Sequence, residues 1–277
     1  MNENNKEKEN KDKVLVNRSY KASVFGMLFE DRENAAELYY ALSGIKCKVS
    51  EVIILTLLDT ITRNFINDLA LIVRGQVLLI CEHQSSWNEN MPLRILIYLG
   101  RLYEKYLSIY EKKKFLYQKG LMRVPTPEFA VLYNGIAKPP KKVLLLNDAF
   151  SQKQSGKLGK IEMKVPIIDI NKDRKPKILQ KSRILDQYSE LIALIRMYQK
   201  KGNSIEEAIE LAIKECVKRG ILAKFLKENG GDIVSILKAE FSIEEYGQVR
   251  YEEGMEKAKL ESDKKWLTRI FIANKEP

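Results

Sequence analysis

Two acidic residues beside neighbouring apolar segments are the first candidates for chemistry. Asp68 precedes the apolar run 69–73, and Glu82 follows a second apolar run that begins at residue 77. Carboxylates in apolar surroundings are costly unless they are paired, hydrogen-bonded or bound to a cation. Two neighbouring carboxylates suit a hard divalent cation that keeps several waters and takes further ligands from a substrate phosphate. These residues therefore predict metal-assisted hydrolysis of a phosphodiester.

The pairing of the two apolar segments decides whether the acids meet. Neither run has a helical period, and the tripeptide Arg-Gly-Gln at residues 74–76 between them is typical of a tight turn joining antiparallel strands. With a three-residue loop, Asp68 lies directly opposite Glu82, with their Cβ atoms about 5 Å apart. Gln84 shares the face of Glu82 because side chains alternate along a strand. A two-residue loop would turn Asp68 to the other face unless a bulge restored it.

Gln84 is the third residue of the predicted catalytic set. Its side-chain amide could orient a water molecule or the scissile phosphate, but it cannot accept a proton as a general base. His83 is the only histidine of the chain and points to the opposite strand face, so we interpret it as a core or interface histidine. A single histidine also excludes a histidine-rich metal site.

The order of these residues resembles a known nuclease signature. Asp68, followed by Glu82-x-Gln84 at the end of the next strand, is similar to the PD-(D/E)XK pattern in its Gln-for-Lys form. From about Tyr20 to Phe150 the chain also resembles the Rpn family of recombination-promoting nucleases, which are also described as putative transposases. Four runs show that likeness: Glu-His-Gln-Ser-Ser (82–86), Asn-Glu-Asn-Met-Pro-Leu-Arg (88–94), Pro-Glu-Phe (127–129) and Tyr-Asn-Gly (133–135).

The resemblance implies an α/β fold of the restriction-endonuclease-like class, with a mixed sheet flanked by helices and followed by an α-helical C-terminal region. It implies Asp68 and Glu82 as metal ligands, and both of them with Gln84 as catalytic residues. It implies Mg²⁺ as the cofactor, with Mn²⁺ able to replace it, and DNA as the substrate. Two positions depart from the pattern: Asn67 stands where the superfamily has Pro, and Gln84 where it has Lys. Loss of the lysine removes a cation from the site, so weak or absent activity is an open alternative.

An acid of the first helix often joins the metal site in the family that the chain resembles. Residues 31–43 are predicted to form this helix, because acids occupy the first turn and Gly44 follows its end. Glu33 and Glu37 share a helical face at i, i+4 spacing, so either could serve, and Glu33 is the one assigned to the metal. The residues alone favour the simpler interpretation, a solvated helix face.

A second helix is predicted after the polar loop 85–90, with an Asn N-cap and Pro92 in its first turn. One side of this helix is predicted to pack in the core: Leu93, Leu96, Ile97, Gly100 and Leu107. The other side is predicted to contact DNA phosphates, with a solvated basic face as an equally open alternative: Arg94, Tyr98, Arg101 and Lys105.

The charge of the chain is compatible with a nucleic-acid partner. The formal charge is +11, and lysines gather at residues 112–114, 138–142 and 153–181. Such patches suit a phosphate backbone, although a lysine-rich surface selected for solubility explains them equally well. Neither a P-loop nor a Gly-rich dinucleotide motif is visible, which disfavours NTP-driven and redox chemistry.

The composition also indicates where the protein works. No apolar run approaches the roughly 20 residues of a membrane span, and we expect a cytoplasmic protein with no membrane partner. The three cysteines have no paired metal spacing and are expected to be reduced thiols.

The chain is predicted to have three parts. These are a disordered polar tail (1–18), a nuclease-like domain (19–175) and a helical C-terminal region (182–277). Strands are predicted at residues 49–58, 128–133, 143–146 and 166–170, and capping boxes at 204–207 and 242–245. We interpret the last helix, 251–272, as an oligomerisation arm, so a homo-oligomer formed through the C-terminal helices is expected.

The predicted function is that of a metal-dependent DNA endonuclease linked to recombination or transposition. The alternative from another class is a non-catalytic DNA-binding or assembly protein that retains the nuclease fold. A third interpretation, a structural interaction module, would leave the acids merely hydrogen-bonded.

Overall fold

The computed structural model describes residues 23–57, 68–150 and 161–242. The chain divides into two compact units, residues 1–238 and 239–277. The described residues of the second unit, 239–242, are helical. The first unit is a mixed α/β structure, which confirms the predicted class at that level. The predicted division near residue 182 stays a prediction.

Within the described residues, six strands form one mixed sheet in the order β1-β2-β3-β4-β6-β5. The strands are Val52–Ile54 (β1), Leu69–Val73 (β2), Val77–Gln84 (β3), Thr126–Tyr133 (β4), Val143–Leu145 (β5) and Lys164–Asp169 (β6). The first three are antiparallel neighbours, whereas β4 and β6 continue the sheet parallel to β3, and β5 lies antiparallel beside β6. The parallel strands therefore end side by side at Gln84, Tyr133 and Asp169.

The helices of the first unit begin and end largely where local signals predict. They are Val24–Phe29 (α1), Arg32–Ser43 (α2), Met91–Ile109 (α3), Arg183–Lys200 (α4) and Ile205–Arg219 (α5), and residues 223–238 are also helical. Gly44 ends α2 with a φ of 75°, a left-handed conformation that costs glycine little. The capping box of Ser204 and Glu207 at the start of α5 is confirmed. In α3, by contrast, the predicted Asn90 cap makes no side-chain hydrogen bond.

The β2–β3 hairpin has a three-residue loop, the first of the two alternatives that the sequence left open. Val73 pairs with Val77, and the Gln76 N–H donates to the Val73 carbonyl at 3.0 Å. Arg74 and Gly75 both have positive φ angles, 54° and 66°, which reverse the chain direction within so few residues. Because this loop has three residues, the alternation of side chains agrees with the predicted register.

Different helices cover the two faces of the sheet. On one face, Ile95 of α3 packs in the same buried cluster as Leu78 and Ile80 of β3. On the other face, the His83 ring contacts Phe25 of α1 and Tyr188 of α4. Successive residues of β3 therefore enter different environments, and helix α3 covers the face of Glu82.

The predicted core stripe of α3 is wrong in part. Leu93 and Ile97 are 43% and 37% exposed, whereas Ile95, Tyr98 and Leu102 are buried. Both sets have helical spacing, because α3 is apolar on more than one side, and periodicity alone does not choose between them. Only the packing against the sheet selects the buried stripe.

The first predicted strand is also shorter than residues 49–58. Residues Val49–Glu51 form a 3₁₀ turn, and the strand itself covers only β1. The Glu51 carboxylate accepts a hydrogen bond from the Lys48 N–H at 2.9 Å, and this local bond favours the turn over an extended chain. The predicted tail (1–18), residues 153–160 of the lysine-rich stretch, the capping box at 242–245 and the helix at 251–272 lie wholly or mostly outside the described residues.

Candidate active site

Asp68 and Glu82 meet at the open end of the β2–β3 hairpin. Leu69 pairs with Cys81, so continuing the antiparallel register by one residue sets Asp68 opposite Glu82. The backbone N–H of Asp68 donates to Oε1 of Glu82 at 3.1 Å. The two acids that the sequence selects are therefore direct neighbours across the hairpin.

Backbone and side-chain donors hold the Asp68 carboxylate in place. Its Oδ2 accepts a hydrogen bond from the His83 N–H at 2.7 Å, and its Oδ1 accepts one from the Ser23 hydroxyl at 3.3 Å. Ser23 also caps α1 by accepting from the Gly26 N–H at 2.9 Å. Burial raises the pKa of Asp68, and the His83 N–H and the Arg94 charge counter part of this rise. Helix α1 thus contributes directly to the position of Asp68.

Glu82 is buried and forms an ion pair with Arg94. The side chain of Glu82 is 1% exposed, that of Arg94 is 36% exposed, and Oε2 of Glu82 lies 3.3 Å from Nη2 of Arg94. Arg94 also donates to the Tyr98 hydroxyl from Nε at 3.2 Å and from Nη2 at 3.0 Å. Burial raises the pKa of Glu82 well above its usual value, and the charge of Asp68 raises it further, against the opposing effect of Arg94. One guanidinium therefore compensates the two acids incompletely.

This pair of acids fits a hard divalent cation. Burial raises the pKa of both carboxyl groups, and a cation between them would favour their charged forms. Each oxygen accepts one hydrogen bond from the protein and keeps a further lone pair. In residues 23–57, 68–150 and 161–242, no three His, Cys, Asp or Glu side chains are grouped closely enough to hold a metal ion. The remaining ligands would then be water and substrate phosphate, as Mg²⁺ often has.

The acids of α2 lie elsewhere. Glu33 is exposed in the first turn of the helix, and it is not grouped with Asp68 and Glu82 among the described residues. Glu37 instead accepts hydrogen bonds from the Ser182 hydroxyl at 2.6 Å and from the Ile184 N–H at 2.9 Å. It therefore stabilises the start of α4, and the assignment of Glu33 to a metal stays a prediction.

Gln84 ends β3 beside a close approach of two chain segments. Its side chain lies on the face of Glu82 and is partly exposed, and its carbonyl accepts from the Asn134 N–H at 3.0 Å. Asn134 is 4% exposed, and its Oδ1 has no hydrogen-bond partner within the described part of the chain. A Cβ atom at Gly135 would lie 2.5 Å from the Ser85 carbonyl oxygen. Glycine is therefore required there for the loops after β3 and β4 to pack together.

The three predicted DNA contacts on α3 have different surroundings. Arg94 pairs with Glu82, and Arg101 is exposed. Lys105 donates from Nζ to the carbonyl oxygens of Leu55 at 3.2 Å and Thr56 at 2.8 Å, and burial lowers its pKa. Arg101 is thus the most accessible of the three to a phosphate.

Three contacts of this site were not predicted from the sequence. Ser23 binds Asp68, Tyr98 binds Arg94, and Asn134 lies beside Gln84. The i, i+4 spacing of Arg94 and Tyr98 is a usable signal for their contact. The contact of Ser23 with Asp68 has no sequence signal, because 45 positions separate the two residues.

Comparisons with protein-family models, with curated proteins and with solved structures gave no significant match to this chain. Across the described ranges, no helix combines the length and apolar character that a membrane crossing requires. The functional argument therefore rests on the chemistry of the site.

Proposed function

We propose that the protein is a divalent-metal-dependent DNA endonuclease of the PD-(D/E)XK type, similar to the Rpn family and with a restriction-endonuclease-like sheet. The observation that carries this proposal is the direct opposition of Asp68 and Glu82, joined by the 3.1 Å hydrogen bond from the Asp68 N–H. Gln84 follows two residues later on the same strand face. A mixed sheet, in which an antiparallel hairpin precedes parallel strands, supports the proposal.

The acids would hold Mg²⁺, or Mn²⁺ in its place. When bound, the cation supplies polarisation of a phosphoryl oxygen and a lower pKa for a coordinated water. Asp68 keeps its orientation through the His83 N–H and the Ser23 hydroxyl, and Glu82 keeps its orientation through the Asp68 N–H. Because these donors are fixed by β3, by the start of α1 and by the residue before β2, both carboxylates are pre-positioned before substrate binds.

Arg94 supplies the positive charge that Gln84 lacks. Its guanidinium is 36% exposed while it contacts buried Glu82, so the group faces both the acids and solvent. An arginine in this position can bind a phosphate oxygen in a fork geometry and stabilise charge that develops during cleavage. Gln84 would orient the water or the phosphate, since an amide cannot remove a proton.

A non-catalytic DNA-binding protein is the second candidate, and the same arginine favours it. Arg94 already neutralises part of the charge at Glu82, and all four carboxylate oxygens of the two acids accept hydrogen bonds from the protein. A cation must therefore share or displace these contacts. In this version the acids and Arg94 would stabilise the hairpin, and DNA would bind without being cut.

Plasmid cleavage tests the two candidates. Supercoiled DNA is incubated with the full wild-type chain in Mg²⁺, in Mn²⁺ and in chelator. The variants Asp68→Asn and Glu82→Gln are assayed in parallel. Glu210→Gln, which removes an exposed acid of α5, is the matched control. The endonuclease proposal expects metal-dependent nicking or linearisation that both site variants lose and the control keeps. If the wild-type protein shifts duplex DNA in a gel but does not cut it in either metal, the result would exclude the endonuclease and support the non-catalytic DNA-binding protein.

The wider roles follow from the resemblance and are part of the proposal. Cleavage would serve recombination or transposition, and the C-terminal helices would join copies of the chain. Sedimentation tests the second point. The full chain should sediment as an oligomer, whereas a chain ending at residue 242 should sediment with the mass of a single copy.

A further inference from the structure

The segment between α3 and β4 has a defined conformation although most of it faces solvent. The Lys112 N–H donates to the Leu107 carbonyl at 2.7 Å, and Lys113–Tyr117 form a 3₁₀ helix. At the other end, the Tyr103 hydroxyl donates to the Pro125 carbonyl at 2.7 Å. Hydrogen bonds to α3 therefore hold both ends of the segment, and we call residues 110–124 the basic-aromatic segment.

Large apolar side chains of this segment are exposed next to one another in the sequence. Tyr117 is 92% exposed, Leu121 86% and Leu116 56%. Single exposed apolar residues are common, but a contiguous group of them marks a contact surface. Tyr110 and Phe115 add two further rings that are 40% and 37% exposed. The structure thus presents a set of aromatic rings to solvent.

Cations accompany these rings. The basic-aromatic segment contains five cationic residues and one acidic residue, Glu111; the cations are Lys112, Lys113, Lys114, Lys119 and Arg123. Nζ of Lys112 lies 5.5 Å from the centre of the Tyr110 ring, and Nζ of Lys114 lies 5.4 Å from the centre of the Phe115 ring. Rings and cations at this spacing meet the two needs of a single nucleic-acid strand, stacking for its bases and charge for its phosphates.

We propose that the basic-aromatic segment is a binding surface for single-stranded DNA, with unpaired bases stacked on Tyr117 and Phe115 and phosphates contacted by Lys114, Lys119 and Arg123. A duplex fits less well, because its bases are already stacked on one another and hide their faces. The exposed ring of Tyr117 can stack only on a base that is free on one side.

This surface lies far from the candidate active site. The Thr126 N–H donates to the Gln76 carbonyl at 2.7 Å, so the segment enters the sheet at the start of β3, whereas Gln84 ends it. That separation is about 23 Å along the strand. The inference deepens the proposed function and rests on it for the choice of DNA. A displaced single strand would be held at one end of the sheet while the bond to be cut lies at the other.

Fluorescence anisotropy of a labelled oligodeoxythymidine with the full chain tests the proposal. All titrations are done in chelator, so that binding does not depend on a metal at Asp68 and Glu82. Tyr117→Phe keeps the ring and should bind like wild type, whereas Tyr117→Leu keeps only apolar area and should bind about tenfold more weakly. Both changes are at a position 92% exposed, so neither should alter the melting temperature.

A triple variant tests the phosphate contacts. Lys114→Ala, Lys119→Ala and Arg123→Ala together should lower the slope of log affinity against log salt by about 2, since each lost single-strand contact removes about 0.7. The matched control changes three exposed lysines of other helices, Lys218, Lys224 and Lys227, to Ala. This control should leave the slope near that of wild type.

The outcomes separate this proposal from the nuclease proposal. Wild-type affinity of Tyr117→Leu and of the triple variant would overturn the binding surface, even for a protein that cuts plasmid DNA. Weakened binding of both variants would support the surface, even for a protein that never cuts. Binding to phosphatidylserine vesicles without binding to the oligonucleotide would overturn it in favour of a lipid surface. Preference for a duplex of equal length, with no effect of Tyr117→Leu, would also overturn it.

Discussion

Glu82 and His83 are neighbours on one strand, yet they face different partners. Glu82 faces α3, where Arg94 lies 3.3 Å away and reaches solvent. His83 faces α1 and α4, where its ring stacks on Phe25 with centroids 5.2 Å apart and its Nε2 lies 3.1 Å from the Tyr188 hydroxyl. Burial, with a further effect of the Arg196 charge, lowers the pKa of His83 to about 3. Glu82 therefore faces a guanidinium, whereas the surroundings of His83 favour its neutral form.

The difference shows what the covering helices contribute. The strand supplies both residues at adjacent positions, but α3 brings a guanidinium into hydrogen-bond contact with Glu82, whereas α1 and α4 bring the rings of Phe25 and Tyr188 against the His83 ring. The backbone of His83 nevertheless holds Asp68 through the 2.7 Å hydrogen bond from its N–H. His83 therefore holds one of the two acids through its backbone while its ring packs on the opposite face of the strand.

The largest effect should come from removing the counter-charge of Glu82. Arg94→Met leaves a carboxylate that is 1% exposed without its guanidinium. Breaking a buried ion pair from one side costs about 3 kcal/mol or more, and we expect the lower figure because Arg94 is partly solvated. The measurement is the free energy of unfolding in urea at pH 8. The loss should shrink at lower pH, where Glu82 can take up a proton.

Two further variants sharpen this test. Adding Glu82→Gln to Arg94→Met should recover most of the lost stability, because a neutral amide needs no counter-ion. Arg101→Met removes an exposed arginine from the same helix and should cost under about 0.5 kcal/mol. If Arg94→Met unfolds like wild type at pH 8, the idea of an ionised Glu82 is wrong.

Protonation of His83 should lower the stability of the folded protein in acid. The pKa of His83 is 6.5 in an unfolded chain and about 3 in the folded one, so between these values the unfolded state binds the extra proton. The contribution of neutral His83 to the free energy of unfolding is therefore fully present above pH 6.5 and decreases as the pH falls towards 3. From pH 7.5 to pH 5 the expected loss is about 2 kcal/mol.

His83→Gln isolates this contribution. The raised pKa values of Asp68 and Glu82 act in the opposite direction, since these acids favour folding as they take up protons. Subtracting the pH dependence of His83→Gln from that of wild type cancels their effect. Equal pH dependence of the two proteins would contradict a neutral His83.

A smaller effect compares the two phenols. Tyr98→Phe removes the acceptor of two hydrogen bonds from charged Arg94, whereas Tyr188→Phe removes the hydroxyl that lies 3.1 Å from Nε2 of the neutral His83 ring. Hydrogen bonds to charged groups contribute about 1.5–3 kcal/mol and neutral ones about 0.5–1.5. We expect Tyr98→Phe to cost more stability in urea unfolding, by about 1 kcal/mol. The reverse order would mean that Arg94 finds an equally good partner elsewhere.

The sequence was sufficient to predict the hairpin but not what covers it. The loop at residues 74–76 and the alternation along β3 are local, and together they predict that Asp68 meets Glu82. The partner of Glu82 depends on how α3 crosses the sheet, and α3 has apolar residues on more than one side, so Leu93 and Ile97 were wrongly expected inside. The capping of α4 by Glu37 joins residues 145 positions apart, a contact without local signal.

The smallest expected effect tests whether DNA contacts extend along α3 from Arg94 to Arg101. Arg101 is exposed, so Arg101→Ala should leave stability within about 0.5 kcal/mol of wild type. If Arg101 contacts a phosphate, the slope of log affinity against log salt, measured by anisotropy with duplex DNA, should become shallower by about 0.9 in this variant. Lys105→Ala should instead act through stability, because its Nζ binds the carbonyls of Leu55 and Thr56. An unchanged salt slope for Arg101→Ala would restrict the DNA contacts of this face to Arg94, and the charged region would then be a pocket around Glu82 rather than a strip along the helix.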